Sequence, residues 1–511
     1  MRKIIVSFSA LLFSLQLVSG QIIWQNTIGG KKYDECVSFQ KTQDKGFILA
    51  AQSNSDAGEI HQNLGGADIV LIKLDSLGNV KWIKNFGGSD HDLPYAIKAT
   101  KDGGFIVVGN TASNDFDVNG NHGGLDAWIF KVDGDGGILW QRCFGGTKDD
   151  EFRDVIPDAA GGFLICGSTR SSDGDITLNQ GGSDYWAVKL DSVGSLEWSK
   201  TYGGNSLDDA WAIEETHDGG YVIGGESYST NGDVSGNNGT QDAWLIKINW
   251  EGKIIWQNCF GGIAWEGIRD IISAEEEGFI MTGFTASNNG DVSGNHGADD
   301  AWLFKVDAFG SLLWQRPFGG SQQDLGFALC KSIDGGYWAA SVSRSNDGDL
   351  TNNKGSQDVW IFKLSEEGSL LWERSLGGSL IDFAKTIELS HDGKCVFAGY
   401  TRSQNGDLSG PVEEADIWVV KLDENVPSAT TQADYIPLEL YPNPSQHRIF
   451  LQLLLDELMY ISITDWQGRV LQTASINAHQ SLDISALPPG AYVLSATAKS
   501  GQLYVGKFVK E

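Results

Sequence analysis

Tryptophan recurs at Trp24, Trp82, Trp140, Trp198, Trp256, Trp314 and Trp372, always 58 residues apart. Other columns keep the same register. Gly-Gly stands five and six residues after each of these tryptophans, an acid ten after, and Ser thirty-one after. A second acid follows at thirty-five, Asp at forty-four and Lys at forty-nine. A second Trp lies forty-six on in six copies, with Val70 in its place in the first. A register held through seven copies without insertion or deletion means one structural unit repeated seven times.

Each unit predicts four short strands. In the second unit they cover residues 93–99, 104–109, 126–132 and 137–141, β-branched and aromatic runs bounded by Gly, Asp and Asn turns. No stretch of useful length carries a helical period. Four strands per 58-residue unit is a propeller blade, lengthened by the loop between its second and third strands. The chain ends decide between a ring and an open array. Residues 21–29 read as a fourth strand, and the repeat runs out after a third strand at 416–422. Pairing the two closes a ring and removes a free sheet edge. The expected fold is all-β, a seven-bladed β-propeller closed by its N-terminal strand and followed by a small immunoglobulin-like β-sandwich. The expected division is a signal peptide at 1–20, the propeller at 21–425, a linker at 426–437 and a C-terminal domain at 438–511.

Composition narrows the role. The 37 Lys and Arg face 67 Asp and Glu, a net charge of −30. That surplus speaks against phosphate neutralisation, so nucleic acid is not an expected partner. Met1-Arg2-Lys3, an apolar run to about Val18 and small residues up to Gly20 read as a secretory signal. No later stretch has the length of a membrane span, so a soluble, monomeric mature chain is expected. Six cysteines without metal-ligand spacing read as small buried hydrophobes, with one or two disulfides left open.

From residue 438 the composition changes and the Gly-Gly pairs stop. Tyr441, Pro442, Asn443 and Pro444 open this region, Gly468 lies in Asp465-Trp466-Gln467-Gly468-Arg469, Gly490 and Tyr492 follow Leu487, and Lys507 stands near the end. In order and spacing these resemble the C-terminal sorting domain of the type IX secretion system of Bacteroidota. The resemblance implies export through the periplasm, recognition by the type IX translocon and sorting machinery, and delivery to the cell surface or the medium. The repeats also resemble glycine- and tryptophan-rich propeller repeats of secreted proteins in that phylum, a likeness that transfers no active-site pattern.

Three features invite chemistry. The long loops carry Asp117, Asp175, Asp233, Asp291, Asp349 and Asp407 among Asn and Gly. Such oxygen-rich loops make Ca²⁺ a candidate ligand, although turn chemistry is the favoured explanation and no cofactor is required. Function in a repeat belongs where the copies differ. Thirteen residues after the Trp the series is Val37, Tyr95, Arg153, Trp211, Arg269, Phe327 and Lys385. Aromatics and cations meeting near a ring mouth would suit a glycan or an acidic polymer, whereas plain packing between blades is the alternative. Asp154 and Asp270, one position on, are the best conjecture for an acid/base pair. No nucleophile or metalloprotease motif occurs. The expectation is a non-catalytic binding or adhesion module for a glycan or protein. The rivals are a polysaccharide lyase or glycosidase, and a structural surface protein.

Overall fold

The computed structural model describes residues 21–274, 278–424, 436–452, 458–464, 470–477, 481–498 and 503–511. The expected signal peptide at 1–20, most of the linker and Gly468 lie outside the described residues. Every element among the described residues is a strand. They form two compact units, residues 1–428 and 429–511.

The first unit holds seven four-stranded antiparallel sheets. Sheet 1 consists of Asp34–Lys41, Phe47–Ser53, Asp68–Leu74 and Val80–Phe86, paired in chain order. Sheets 2 to 6 repeat this arrangement. Sheet 7 takes Asp382–Leu389, Cys395–Thr401 and Asp416–Asp423, and its fourth strand is Gln21–Ile28 from the other end of the chain. Gln25 pairs with Val420 and Ile28 with Ile417. First strands touch first strands in succession, and that of sheet 7 touches that of sheet 1.

The tryptophan columns hold sheets together. In six copies, Trp24 to Trp314, the first packs one sheet against a turn of the next. A Cβ added to Gly136 would meet the Trp82 ring at 3.0 Å, and one added to Gly78 would meet Trp24 at 2.7 Å. Both glycines also have positive φ, 76° and 83°, so the turn admits no other residue without strain. The second column is fully buried. Its indoles find acceptors on the neighbouring strand, as where Trp128 Nε1 donates to Gln141 Oε1 at 3.1 Å.

The acid at position ten ties each Gly-Gly loop down. Gly146 N–H donates to Asp150 Oδ2 at 2.8 Å, Ser171 Oγ donates to the same oxygen at 2.7 Å, and Thr169 Oγ1 donates to Asp150 Oδ1. In sheet 5 the longer Glu266 does the same work, receiving Gly262 N–H at 2.9 Å and Thr285 Oγ1 at 2.8 Å. The Lys column pairs within its own sheet, and Lys363 also reaches Glu424, just beyond a strand of sheet 7, at 2.7 Å. Lys73, Lys131, Lys189, Lys247, Lys363 and Lys421 each reach an Asp in the first turn of their own sheet, for instance Lys73 to Asp44 at 2.8 Å.

The Asp column at forty-four does meet the next sheet. One oxygen accepts a loop N–H, as Asp126 Oδ2 does from His122 at 2.9 Å. The other, Oδ1, is buried without a hydrogen-bond partner in all seven copies, from Asp68 to Asp416. It lies over the first Gly of the next Gly-Gly pair, close to the position-ten acid. A Cβ on Gly203 would meet Asp184 Oδ1 and Asp208 Oδ2, both at 2.7 Å. Burial, reinforced by the neighbouring carboxylate, pushes Asp68 up to about 7 and Asp184, Asp242, Asp358 and Asp416 to about 6.

The second unit has a five-stranded and a three-stranded sheet over one shared core of residues such as Leu440, Ile449, Ile463, Leu494 and Phe508. Tyr441 stacks on Phe450 at 5.5 Å, Asn443 Nδ2 donates to Lys507 O at 2.9 Å, and Tyr492 OH donates to Pro488 O at 2.6 Å. Gly490 opens the strand Gly490–Ala498. Arg448–Gln452 is the middle strand of the three-stranded sheet.

Candidate functional site

A cavity of 450 Å³ is lined by residues from the first strands of all seven sheets. Each of those strands breaks register with its partner at the thirteenth position. In sheet 3, Phe152 pairs with Gly167 and Asp154 with Cys166, so Arg153 is the extra residue of a β-bulge. The same shift occurs at Val37, Tyr95, Trp211, Arg269, Phe327 and Lys385. A bulge needs close approach from the opposite strand. A Cβ on Gly167 would meet Glu151 O at 1.9 Å, and five of the seven sheets carry Gly there, with Ala51 and Ser341 in the others.

The bulge column gathers at the mouth of the cavity. The Arg153 guanidinium lies 4.0 Å from the Tyr95 ring centre and 4.1 Å from that of Trp211, and Arg269 lies 4.1 Å from Trp211. Lys385 sits 5.1 Å over Phe327 and 4.8 Å over Phe383. Each cation also has a carboxylate. Arg153 pairs with Glu151, Arg269 with Glu226 at 2.6 Å, and Lys385 with Glu35 at 3.5 Å. The six candidate residues therefore line one cavity as a ladder of two runs, Tyr95–Arg153–Trp211–Arg269 and Phe327–Lys385, whose rings and cations face one another. Cation–π contacts of this partly buried kind contribute about 1 kcal/mol each.

Deeper in the cavity, side chains stitch one first strand to the next. Ile97 N–H donates to Ser38 Oγ at 3.3 Å, Ile213 N–H to Asp154 Oδ2 at 3.2 Å and Leu329 N–H to Asp270 Oδ2 at 2.7 Å. Lys41 N–H donates to Glu388 Oε2 at 2.8 Å and makes the same stitch from sheet 7 to sheet 1. The remaining oxygens of Asp154 and Asp270 accept N–H groups from Val155 and Ile271. The conjectured acid/base pair thus has all four oxygens engaged by backbone, and Lys98 lies 3.5 Å from Asp154. Asp154 and then the other channel acids hold the Lys98 ammonium above its ordinary range, while burial pushes Asp270 up to about 7.

The loop aspartates have a local job. Asp175 N–H donates to Gly145 O at 3.0 Å and its Oδ2 receives Gly145 N–H at 3.1 Å. Asp117, Asp233, Asp291, Asp349 and Asp407 repeat this clasp. Among the described residues no group of three or more His, Cys, Asp and Glu is placed to hold a metal ion. Each loop Asp thus has one oxygen committed to the backbone of the Gly-Gly loop. All six cysteines are free thiols.

Sequence reasoning missed the rim outside the ladder. Trp265, Tyr228 and Ile263 are exposed there, in columns that lie among turn residues. The signal was available: position nine after the Trp runs Tyr33, His91, Asp149, Leu207, Trp265, Gln323 and Ile381, as varied as the bulge column.

No curated protein matches the chain. Among solved structures it is similar to a mutant of puromycin hydrolase complexed with PGG, at 12% identity and TM-score 0.45, over 93% of this chain and 60% of that one. It is also similar to the apocarotenoid oxygenase of Synechocystis, at 10% identity and TM-score 0.35, over 72% of this chain and 96% of that one. Likenesses at these scores bear on no residue here. No helix among the described residues is long and apolar enough to cross a membrane. Residues 439–511 match the family described as the secretion system C-terminal sorting domain. The chain therefore ends in a type IX sorting domain, which engages the type IX secretion machinery and takes the protein to the cell surface or the extracellular medium.

Proposed function

We propose that the seven sheets are blades of one closed propeller, spanning 21–425, and that the sorting domain at 438–511 delivers it as a non-catalytic binding module for a glycan or protein. The carrying observation is the cavity lined by all seven first strands, with a strongly varied column of aromatics and cations set at the bulges. Bulges re-aim side chains at the expense of pairing, and seven in register make a mouth whose chemistry changes without touching the scaffold. The backbone bonds on Asp154 and Asp270 favour binding over turnover.

The test is retention of the exported chain on immobilised glycans and surface proteins, with reducing-end and unsaturated-product assays on every hit. Retention without product, lost in an Arg153→Ala, Trp211→Ala, Arg269→Ala triple variant, is expected. Product formation overturns the non-catalytic reading. Removing residues 438–511 should leave the propeller in the periplasm, and unchanged surface display would contradict the export role.

A further inference from the structure

The rings of the ladder already carry cations, two on Trp211 and one each on Tyr95 and Phe327. The open aromatic surface lies one step outward. Trp265 is 55% exposed, Tyr228 37% and Ile263 69%. Tyr228 follows the second strand of sheet 4, and Trp265 precedes the first strand of sheet 5. The equivalent residues between sheets 7 and 1 are Arg402 and Tyr33, whose guanidinium and ring centre are 5.7 Å apart. In the repeat register Tyr228 and Trp265 hold these same two positions between sheets 4 and 5. On its other flank Tyr228 N–H donates to Leu207 O at 2.9 Å. Two residues beyond Leu207, Asp209 enters a 90 Å³ pocket between sheets 3 and 4 that also holds Asp149 and Arg170, with Arg153 and Trp211 as wall. Arg170 lies 3.6 Å from Asp149, and Ser183 Oγ donates to Asp209 Oδ1 at 2.9 Å.

Resting on the reading of the mouth as a binding face, we propose that this strip across sheets 3 to 5 binds a neutral glycan. Sugar rings stack their C–H faces on Trp265 and Tyr228, and hydroxyls enter the Asp149–Arg170–Asp209 pocket. A hydroxyl both donates and accepts, so it bonds a carboxylate and a guanidinium side by side. An acidic glycan would meet Asp149, Glu151 and Asp209 together, on a chain of net charge −30. A cationic polymer would meet Arg153 and Arg170.

The experiment titrates the full exported chain with neutral hexaoses of glucose, mannose, galactose and xylose, and with oligogalacturonate, following heat and tryptophan fluorescence. One neutral hexaose is expected to bind, with affinity falling about tenfold in Trp265→Ala, as loss of one stacked aromatic implies. Asp209→Asn should weaken binding with the melting temperature unchanged. Preference for oligogalacturonate, or neutral binding indifferent to Trp265→Ala, overturns this site. Failure of every sugar overturns it too. In each of those cases the broader reading survives only if another ligand is retained by the wild-type chain and lost in the Arg153→Ala, Trp211→Ala, Arg269→Ala variant.

Discussion

Asp150 and Arg153 stand three residues apart on one strand and obey opposite rules. Position ten is acidic in every copy and buried. Position thirteen differs in almost every copy and faces the cavity. Asp150 receives a backbone N–H from the Gly-Gly loop that leads into its sheet and two hydroxyls from the end of the neighbouring strand. Arg153 instead lies between ring faces supplied by sheets 2 and 4. The first contact is needed to fold any one sheet, so it is written seven times. The second depends on which neighbours happen to flank it, so it is free to vary and to carry recognition.

The largest effect that would break this contrast is at the shared position. Asp150→Ala leaves one N–H and two hydroxyls without their acceptor in a buried loop. It should cost roughly 3–5 kcal/mol, at about 1–3 kcal/mol for each group left unpaired and with partial relaxation. Chemical denaturation checks this, and a loss below about 1 kcal/mol would make the shared network dispensable. Next comes the bulge itself. Gly167→Val drives a side chain into Glu151 O and should cost about 1–3 kcal/mol by overpacking, with loss of binding as Arg153 is displaced.

A pH series separates two further groups of acids. The column from Asp68 to Asp416 is held above the carboxylate range by burial, so the folded chain keeps protons that the unfolded chain gives up. This contribution is complete below about pH 4 and is lost as pH rises through about 6 to 7. The turn acids Asp44, Asp102 and Asp218 are held down at about 2, chiefly by their lysines, and work the other way, losing their contribution as pH falls from 4 toward 2. Thermal melts should therefore peak in mild acid, and Asp68→Asn should flatten the fall on the neutral side. Stability rising steadily from pH 4 to 7 would contradict the unpartnered Oδ1 as the source.

Much of this was legible before any coordinates. The 58-residue register yields the sheets, and the position of the first and last strands yields the pairing of Gln21–Ile28 with Asp416–Asp423. Predicted strand ends differ by a residue or two, as at Ile138–Phe144 against 137–141, because turn residues such as Gly137 fit either side of a boundary. The bulge was not read, since counting alternation through Phe152–Arg153–Asp154 assumes one residue per step. Glycine opposite it, at 109, 167, 225, 283 and 399, was the available sign. The ladder could not be read from one strand, because Trp211 meets two arginines only through sheets 58 residues either side.

The most direct test compares two sets of variants for stability and ligand retention together. Replacing Arg153, Trp211 and Arg269 by alanine should lower the melting temperature by only a few degrees, in line with about 1 kcal/mol per cation–π contact spread over so large a unit, while abolishing retention. Asp150→Ala should unfold the chain far earlier. If the triple variant melts as early as Asp150→Ala, or keeps its ligand, the division between shared scaffold and varied binding face is wrong.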